Sequence, residues 1–296
     1  MPAKLNLDYY SGVDYYSDGD IENELLEIVK SKKDIEKVLA NDNRWAILYH
    51  LSPIRKNILN WYPFKKESSV LEIGGGCGAI TGVLCESVTS VNVVELSKRR
   101  STINYERNKK FDNLEIIVGN LNDIKFEQKF DYITLIGVLE YAGSFTKTDA
   151  PYEDFLKNIK SYLKEDGKLL IAIENRYGLK YFSGAKEDHT GQEFDGIRGY
   201  IGNDKVRTFG KIELEELFCS VGLIKQEFYY PHPDYKMPFE IFSDNYLPSL
   251  ETLLQSASNF DYEKIELFNE SLAFKGIIKN KQYPFFANSF LVVCGV

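Results

Sequence analysis

Within twelve positions, Val70 to Thr81 combine a short apolar run, an acid and a glycine cluster: Glu72 lies inside Val70–Ile73, and Gly74, Gly75, Gly76 and Gly78 follow. Glycines at the end of a strand let backbone N–H groups approach a ligand that any Cβ would hold off, and a following helix points its positive end at the same place. The chemistry this predicts is nucleotide binding. A second acid, Glu95, stands 21 positions after Gly74, the separation at which a carboxylate meets a ribose across one βαβ unit. It could accept both ribose hydroxyls and would repel a 2′-phosphate. A second group of reactive residues falls between 174 and 210, a stretch rich in Gly, Tyr and Phe that holds Arg176, His189, Arg198 and Arg207. His189, with an ordinary pKa near neutrality, suits a general base for a hydroxyl acceptor, and Asp188 could orient it. The three arginines suit a different acceptor, a carboxylate, which is already ionised and needs a cationic clamp instead of a base. The alternative is that they pair with Glu187, Glu193, Asp195 and Asp204 and hold the loop together.

These residues need elements to position them. Val70–Ile73, Val91–Val94, Leu114–Val118, Tyr132–Ile136, Lys168–Ile173, Ile224–Tyr230 and Ser289–Val293 are β-rich runs, most of them separated by helix-length stretches. That rhythm predicts a doubly wound α/β fold with a seven-stranded, largely parallel sheet. In such sheets ligands bind beyond the carboxyl ends of the strands, which singles out Glu95, then Asn120 and Leu121, then Gly137 to Tyr141. Ahead of the sheet, Ile21 to Leu39 and Trp45 to Leu59 carry apolar residues at helical spacing and predict packing helices. The segment Tyr9 to Tyr16 is aromatic enough to fold over something, either a lid on the ligand or plain core packing. Between the last two runs, Pro231 to Pro238 reads as a rigid connector. The leucines at 247, 250, 253 and 254, then Ile265, Leu267, Phe268 and Leu272, suggest helices that cap the acceptor cleft or form a homodimer face. His232 is a weaker second candidate for a catalytic histidine.

Composition excludes several classes. The chain has 296 residues, 44% of them hydrophobic, and a net charge of −8, so it has a core and lacks the general basic face that nucleic-acid binding requires. No run of about 18 apolar residues argues for membrane insertion, and a cytoplasmic location is expected. Cys77, Cys85, Cys219 and Cys294 are widely spaced with no C-x-x-C pair, so reduced thiols and no metal site are expected.

Taken together, Val70 to Gly78 with Glu72, Glu95, Asn120-Leu121 and Gly137 to Tyr141 resemble the ordered motifs of class I S-adenosylmethionine-dependent methyltransferases, over roughly residues 68 to 230 plus the final strand. The resemblance implies a Rossmann-like fold with an antiparallel last strand and S-adenosyl-L-methionine as cofactor, leaving S-adenosyl-L-homocysteine as product. It implies that Glu72 helps hold the methionine ammonium, that Gly74, Gly76 and Gly78 face the cofactor, and that Glu95 holds the ribose. Asn120 stands where the family often has Asp facing the adenine, Leu121 flanks that ring, and Gly137 lends its backbone near the methionine. The organisation expected is an N-terminal helical cap or lid (1–66), a cofactor-binding core (67–230) with an acceptor loop (174–210), a cap insertion (231–288) and a last core strand (289–296). Methyltransferases encoded with bacterial surface-polysaccharide and peptide natural-product genes are similar. They imply O-methylation of a carboxylate, such as a peptide C-terminus, or of a hydroxyl, on a peptide, glycan or small-molecule acceptor. Two rivals remain. One is a non-catalytic cofactor-binding module of an assembly complex. The other is an NAD-dependent oxidoreductase, since Gly74, Gly76 and Ala79 also satisfy G-x-G-x-x-A; an acid inside the strand disfavours it because a pyrophosphate would be repelled.

Overall fold

The computed structural model describes residues 2–14, 17–202, 205–252, 254–257 and 262–296; Tyr15, Tyr16, Asp204 and Leu253 lie outside the described residues. The chain divides into two compact units, Met1–Leu135 with Ser161–Lys168, and Ile136–Lys160 with Leu169–Val296.

In the first unit, β1 (Lys4–Asn6) precedes three helices, α1 (Ile21–Lys30), α2 (Ile35–Asn41) and α3 (Trp45–Leu51). Then β2 (Ser69–Ile73), α4 (Thr81–Ser87), β3 (Ser90–Glu95), α5 (Lys98–Asn108), β4 (Leu114–Val118) and β5 (Phe130–Ile136) alternate as expected. The strands run in the order β1-β4-β3-β2-β5, every neighbouring pair parallel. Val70, Leu71, Val91, Val93, Ile116 and Ile133 are all buried, the two-sided burial that continuous apolar runs of a parallel sheet predict. The chain leaves β2 toward β3 on one side, while β5 pairs on the other, so the strand order reverses at β2. That reversal puts the glycine run at a switch point, the usual place for a ligand in such sheets.

The helices ahead of β2 bury an amphipathic face. Leu25 and Ile28 of α1 meet Ile47 and Leu51 of α3, together with Cys77 and Ile103. Asp34 caps α2 by accepting from the Glu36 and Lys37 N–H groups, and Ser97 caps α5 through Arg100 N–H. Arg100 also bridges Asp18 and Glu22, which ties the start of α1 to α5.

The second unit holds the carboxyl half of β6 (Leu163–Glu174), followed by β7 (Lys225–His232), β8 (Glu240–Ser243) and β9 (Ser289–Gly295). They run β6-β9-β7-β8, all antiparallel, so the last strand is antiparallel as expected and lies between β6 and β7. The helices α6 (Ala142–Phe145) and α7 (Pro151–Ser161) precede β6, and α8 (Leu179–Phe182), α9 (Asp195–Arg198) and α10 (Lys211–Ser220) lie between β6 and β7. Finally α11 (Glu270–Lys279) and α12 (Tyr283–Phe286) precede β9.

Nine strands are present among the described residues, not seven. The two additions, β1 and β8, have three and four residues, too short to show a period. In β1, polar Lys4 and Asn6 are held by Glu115 of β4 through side chains, at 2.7 and 3.3 Å. The expected rigid connector also differs, since Pro231 and His232 belong to β7. The ladder of β7 with β9 ends at Tyr229, so the missing Pro231 N–H leaves no gap there. The helical spacing of Leu247 to Leu254 does not become helix among the described residues: Pro248 interrupts it, and a turn forms in which Ser249 N–H donates to Thr252 Oγ1. No helix among the described residues is long and apolar enough to cross a membrane, and Cys77, Cys85 and Cys219 are free thiols.

Candidate active site

In the first unit, the turn after β2 is left-handed at Gly74, Gly76 and Gly78, with φ of 75°, 51° and 75°. The three glycines serve different ends. A Cβ on Gly78 would lie 2.4 Å from Asn104 Oδ1, so that position packs against α5, whereas a Cβ on Gly76 would meet nothing within 4 Å. Gly76 is thus the open face, and only glycine combines that backbone with unobstructed approach. Its N–H donates to Glu95 Oε2 at 2.8 Å, while Ser97 N–H donates to Oε1 at 2.9 Å. Glu72 accepts from the Thr81 hydroxyl at 2.6 Å, and Thr81 in turn accepts from Asn104 Nδ2. Burial pushes the Glu72 carboxyl up to about 7, against the Thr81 hydrogen bond and with help from the Glu95 charge. Burial also raises Glu95, opposed by the Ser97 and Gly76 N–H groups and by Arg100. Two desolvated carboxyls in one glycine-lined cradle suit a ligand that brings positive charge.

Further along the same edge, Asn120 accepts from Asn122 N–H and caps a short turn that buries Leu121. Gly119 has a separate role: an added Cβ would sit 2.7 Å from Tyr9 Cβ and 2.8 Å from its carbonyl oxygen. The aromatic N-terminal segment therefore lies directly on the carboxyl end of β4. Asp14 anchors it by accepting from the Lys98 and Arg99 N–H groups at the start of α5, at 2.7 and 3.3 Å.

In the second unit, Gly137 adopts φ 70°, and an added Cβ would stand 2.7 Å from the Tyr235 hydroxyl. Around it is a buried ionic cluster. Glu174, the last residue of β6, accepts at Oε1 from Lys236 Nζ at 2.6 Å and from Tyr235 Oη at 3.3 Å. Its other oxygen, Oε2, faces His189 Nε2 at 3.5 Å, an ion-pair distance too long for a good hydrogen bond. His189 Nδ1 meets the Tyr141 hydroxyl at 3.1 Å. Asp188 pairs with Lys180 and Lys236 at 2.9 and 2.6 Å, accepts from Tyr181, and shares Lys180 with Asp234. Adjacent residues Asp188 and His189 thus have separate partners, and Glu174 is the acid beside the imidazole.

Burial lowers His189, but Glu174, Glu187 and Glu140 more than offset it and bring the imidazole up to about 9. Burial and the Glu174 charge push Glu140 up to about 8. Burial would raise Glu174 as well, yet Lys236 and His189 hold it far below the usual carboxylate range. Three atoms of this cluster, Glu140 Oε2, Glu174 Oε2 and His189 Nε2, are buried with no hydrogen-bond partner among the described residues.

The arginines separate. Arg176 and Arg207 converge on one carboxylate, Glu213, at 3.0 and 3.6 Å; Arg176 also donates to the Tyr177 hydroxyl, and Arg207 lies over Phe209. Arg198 is exposed at the end of α9. His232 sits in a different environment: its Nε2 accepts from Gln255 N–H, Phe242 and Phe274 flank it, and burial lowers it to about 4. Sequence reasoning assigned no role to Glu140, Glu174, Lys180, Tyr235 or Lys236. The first two were findable as acids at or just past the carboxyl end of a run; Lys180 lies in the same loop as Asp188 and His189, whereas Tyr235 and Lys236 approach from a segment distant in sequence.

Residues 46–223, more than half the chain, match the family model of a methyltransferase domain. Among curated proteins, an uncharacterised methyltransferase of Staphylococcus carnosus is 31% identical over 137 residues, 46% of this chain and 62% of that protein. The malonyl-[acyl-carrier protein] O-methyltransferase of Priestia megaterium is 26% identical over 118 residues, 37% of this chain and 38% of that protein. Both matches thus span less than two thirds of the relative. Among solved structures, a Haloferax volcanii methyltransferase in complex with the Trm112 activator superposes with a TM-score of 0.52 at 15% identity, covering 88% of this chain and 97% of that one. Phosphoethanolamine N-methyltransferase 1 of Haemonchus contortus, in complex with phosphoethanolamine and S-adenosylhomocysteine, gives 0.50 at 14% identity, over 93% and 48%. At these identities the structural likeness carries the fold alone.

Proposed function

The chain belongs to the methyltransferase-domain family, and from that premise we propose that it is an S-adenosyl-L-methionine-dependent O-methyltransferase whose acceptor is a hydroxyl of a peptide, glycan or related small molecule. The donor fits the first unit's cradle. Gly76 offers the open backbone face, Glu72 a carboxylate for the methionine ammonium, and Glu95 a carboxylate for the ribose hydroxyls. The cofactor supplies an electrophilic methyl group on a sulfonium.

The observation that carries the acceptor reading is a buried carboxyl oxygen without a hydrogen-bond partner among the described residues, Glu140 Oε2. Buried acceptors of this kind are costly unless a donor reaches them, and a hydroxyl is such a donor. In methyl transfer to a hydroxyl, the acceptor oxygen attacks the methyl carbon and gives its proton to a base, the carbon–sulfur bond breaks, and the electron pair stays on sulfur. An in-line displacement of this kind mainly needs positioning and exclusion of water. A carboxylate acceptor is the second reading, supported by Arg176 and Arg207 sharing the single acid Glu213, an arrangement with cationic charge to spare.

Incubation with S-adenosylmethionine and fractionated hydroxyl-bearing peptides and glycans, followed by mass spectrometry, tests the proposal. The expected result is a 14-dalton increment on a hydroxyl and stoichiometric S-adenosylhomocysteine. An increment confined to carboxylates favours the second reading; cofactor binding without turnover on either class refutes the enzyme reading.

A further inference from the structure

The second unit's acid cluster holds more carboxyl groups than cationic partners. Glu140, Glu174, Glu187, Asp188 and Asp234 face the ammonium groups of Lys180 and Lys236 and the imidazole of His189. Even with the imidazole protonated, carboxyl groups are in excess. Glu187 is satisfied by the His189 and Thr190 N–H groups and the Tyr200 hydroxyl, and Asp188 and Asp234 by the lysines. The remaining demand lies at Glu140, Glu174 and His189.

We propose that Glu140, Glu174 and His189 form the binding site of one divalent first-row transition-metal cation. One ligand atom from each lies within 4.8 Å of the others. Ligands about 2.1 Å from a shared cation stand roughly 3 to 4 Å apart, so the side chains close on it by small rotations. Each of the three contributes a buried polar atom with no hydrogen-bond partner among the described residues. The opposite side of two of the ligands is already fixed: Lys236 and Tyr235 hold Glu174 Oε1, and the Tyr141 hydroxyl meets His189 Nδ1. Glu140 is held through its main chain, whose carbonyl accepts from Arg207 N–H at 3.1 Å and from the Tyr152 hydroxyl at 3.4 Å. Outer contacts of this kind orient the first ligands of a metal and tune their basicity.

The donor set, one imidazole nitrogen and two carboxylate oxygens, is suited to Mn²⁺, Fe²⁺ or Zn²⁺ more than to Mg²⁺, which takes oxygen ligands and retains water. Three protein ligands leave coordination positions open. An acceptor hydroxyl bound there would lose its proton more readily. That use of the cation rests on the hydroxyl reading above; the site itself does not.

Binding is measured on the full chain after chelator treatment and dialysis, without cofactor or acceptor, by titration with MnCl₂ and detection of free Mn²⁺ by electron paramagnetic resonance. The expected result is one Mn²⁺ per chain, displaced by Zn²⁺ and much less by Mg²⁺. Glu140→Gln, whose Oε2 has no hydrogen bond to lose, should weaken binding by at least the roughly 10- to 100-fold that loss of an outer contact costs, with an unchanged urea midpoint, and His189→Gln should weaken binding as well. Substoichiometric binding, or equal affinity in the wild type and Glu140→Gln, would overturn the site. The two readings fail separately: Mn²⁺ bound at these residues without methylation of any hydroxyl sinks the acceptor proposal alone, and hydroxyl methylation undiminished by chelator with no Mn²⁺ bound sinks the metal site alone.

Discussion

Replacing Glu72 by Gln should make the cofactor-free protein more stable and worse at holding its cofactor, and the first effect should depend steeply on pH. The Glu72 carboxyl is fully buried and pushed from 4.5 up to about 7. Because the folded chain binds this proton more tightly than the unfolded chain, the stability linked to Glu72 is fully present below 4.5 and is lost as pH rises through 7. Each pH unit of displacement corresponds to about 1.4 kcal/mol, so relative to a side chain that does not titrate, the folded chain has lost about 1 kcal/mol at pH 5 and about 3 kcal/mol at pH 8. Gln removes that charge while its carbonyl can still accept from Thr81, the contact that Glu72 makes at 2.6 Å. Urea unfolding of both proteins at the two pH values isolates the effect, because the other titrating groups are shared. The variant should gain up to about 3 kcal/mol at pH 8, and about 1 kcal/mol at pH 5. Calorimetric titration with S-adenosylmethionine should meanwhile show a loss of roughly 1.5 to 3 kcal/mol, the scale of hydrogen bonds to charged groups. Equal urea midpoints at pH 8 would show that burial at Glu72 is not electrostatically costly, and undiminished affinity would show that this carboxylate does not hold the ammonium.

Glu95→Ala should weaken S-adenosylhomocysteine binding by roughly 1 to 3 kcal/mol through lost ribose contacts, read by calorimetry; unchanged affinity would move the ribose away from β3. Two alanine replacements in the glycine turn should divide by mechanism. Gly76→Ala points a methyl group into open space and should abolish cofactor binding with little loss of stability beyond about 1 kcal/mol for its left-handed backbone. Gly78→Ala drives a Cβ to 2.4 Å from Asn104 and should lower the urea midpoint at least as much as the cofactor affinity. The reverse ranking would mean that Gly78, not Gly76, faces the ligand.

The parallel half of the fold was legible because two-sided burial writes itself as unbroken apolar runs such as Val91 to Val94, and the glycine turn because its left-handed backbone restricts residue choice. Antiparallel β9 was legible for the same reason as the parallel strands. What escaped was short or long-range. Three-residue β1 is held by polar contacts from Lys4 and Asn6 to Glu115, which have no period. Leucines 247, 250 and 254 have helical spacing but sit beside Pro248, where local chain chemistry outweighs the pattern. In the ionic cluster, Asp188 next to His189 looked like an orienting pair, yet each turns to a partner more than ten residues away, Lys236 and Glu174. Lys236 reaches the cluster from a segment 62 positions beyond Glu174, a contact that only the tertiary fold creates.

Glu72 is nevertheless the residue that separates the two nucleotide readings, and the magnitude explains why a lone acid can do so. A unit charge about 5 Å away is worth roughly 3 kcal/mol at an effective dielectric near 20. A dinucleotide pyrophosphate brought into the cradle would incur that repulsion from each of the two buried acids, Glu72 and Glu95, that is ionised. Glycine N–H groups do not offset it, because the Gly76 N–H is already given to Glu95. A ligand carrying an ammonium and a sulfonium meets the opposite sign at both acids and relieves the desolvation that raises Glu72. The electrostatics of the two buried carboxyls therefore weigh against NAD and toward a cationic methyl donor, although G-x-G-x-x-A is satisfied.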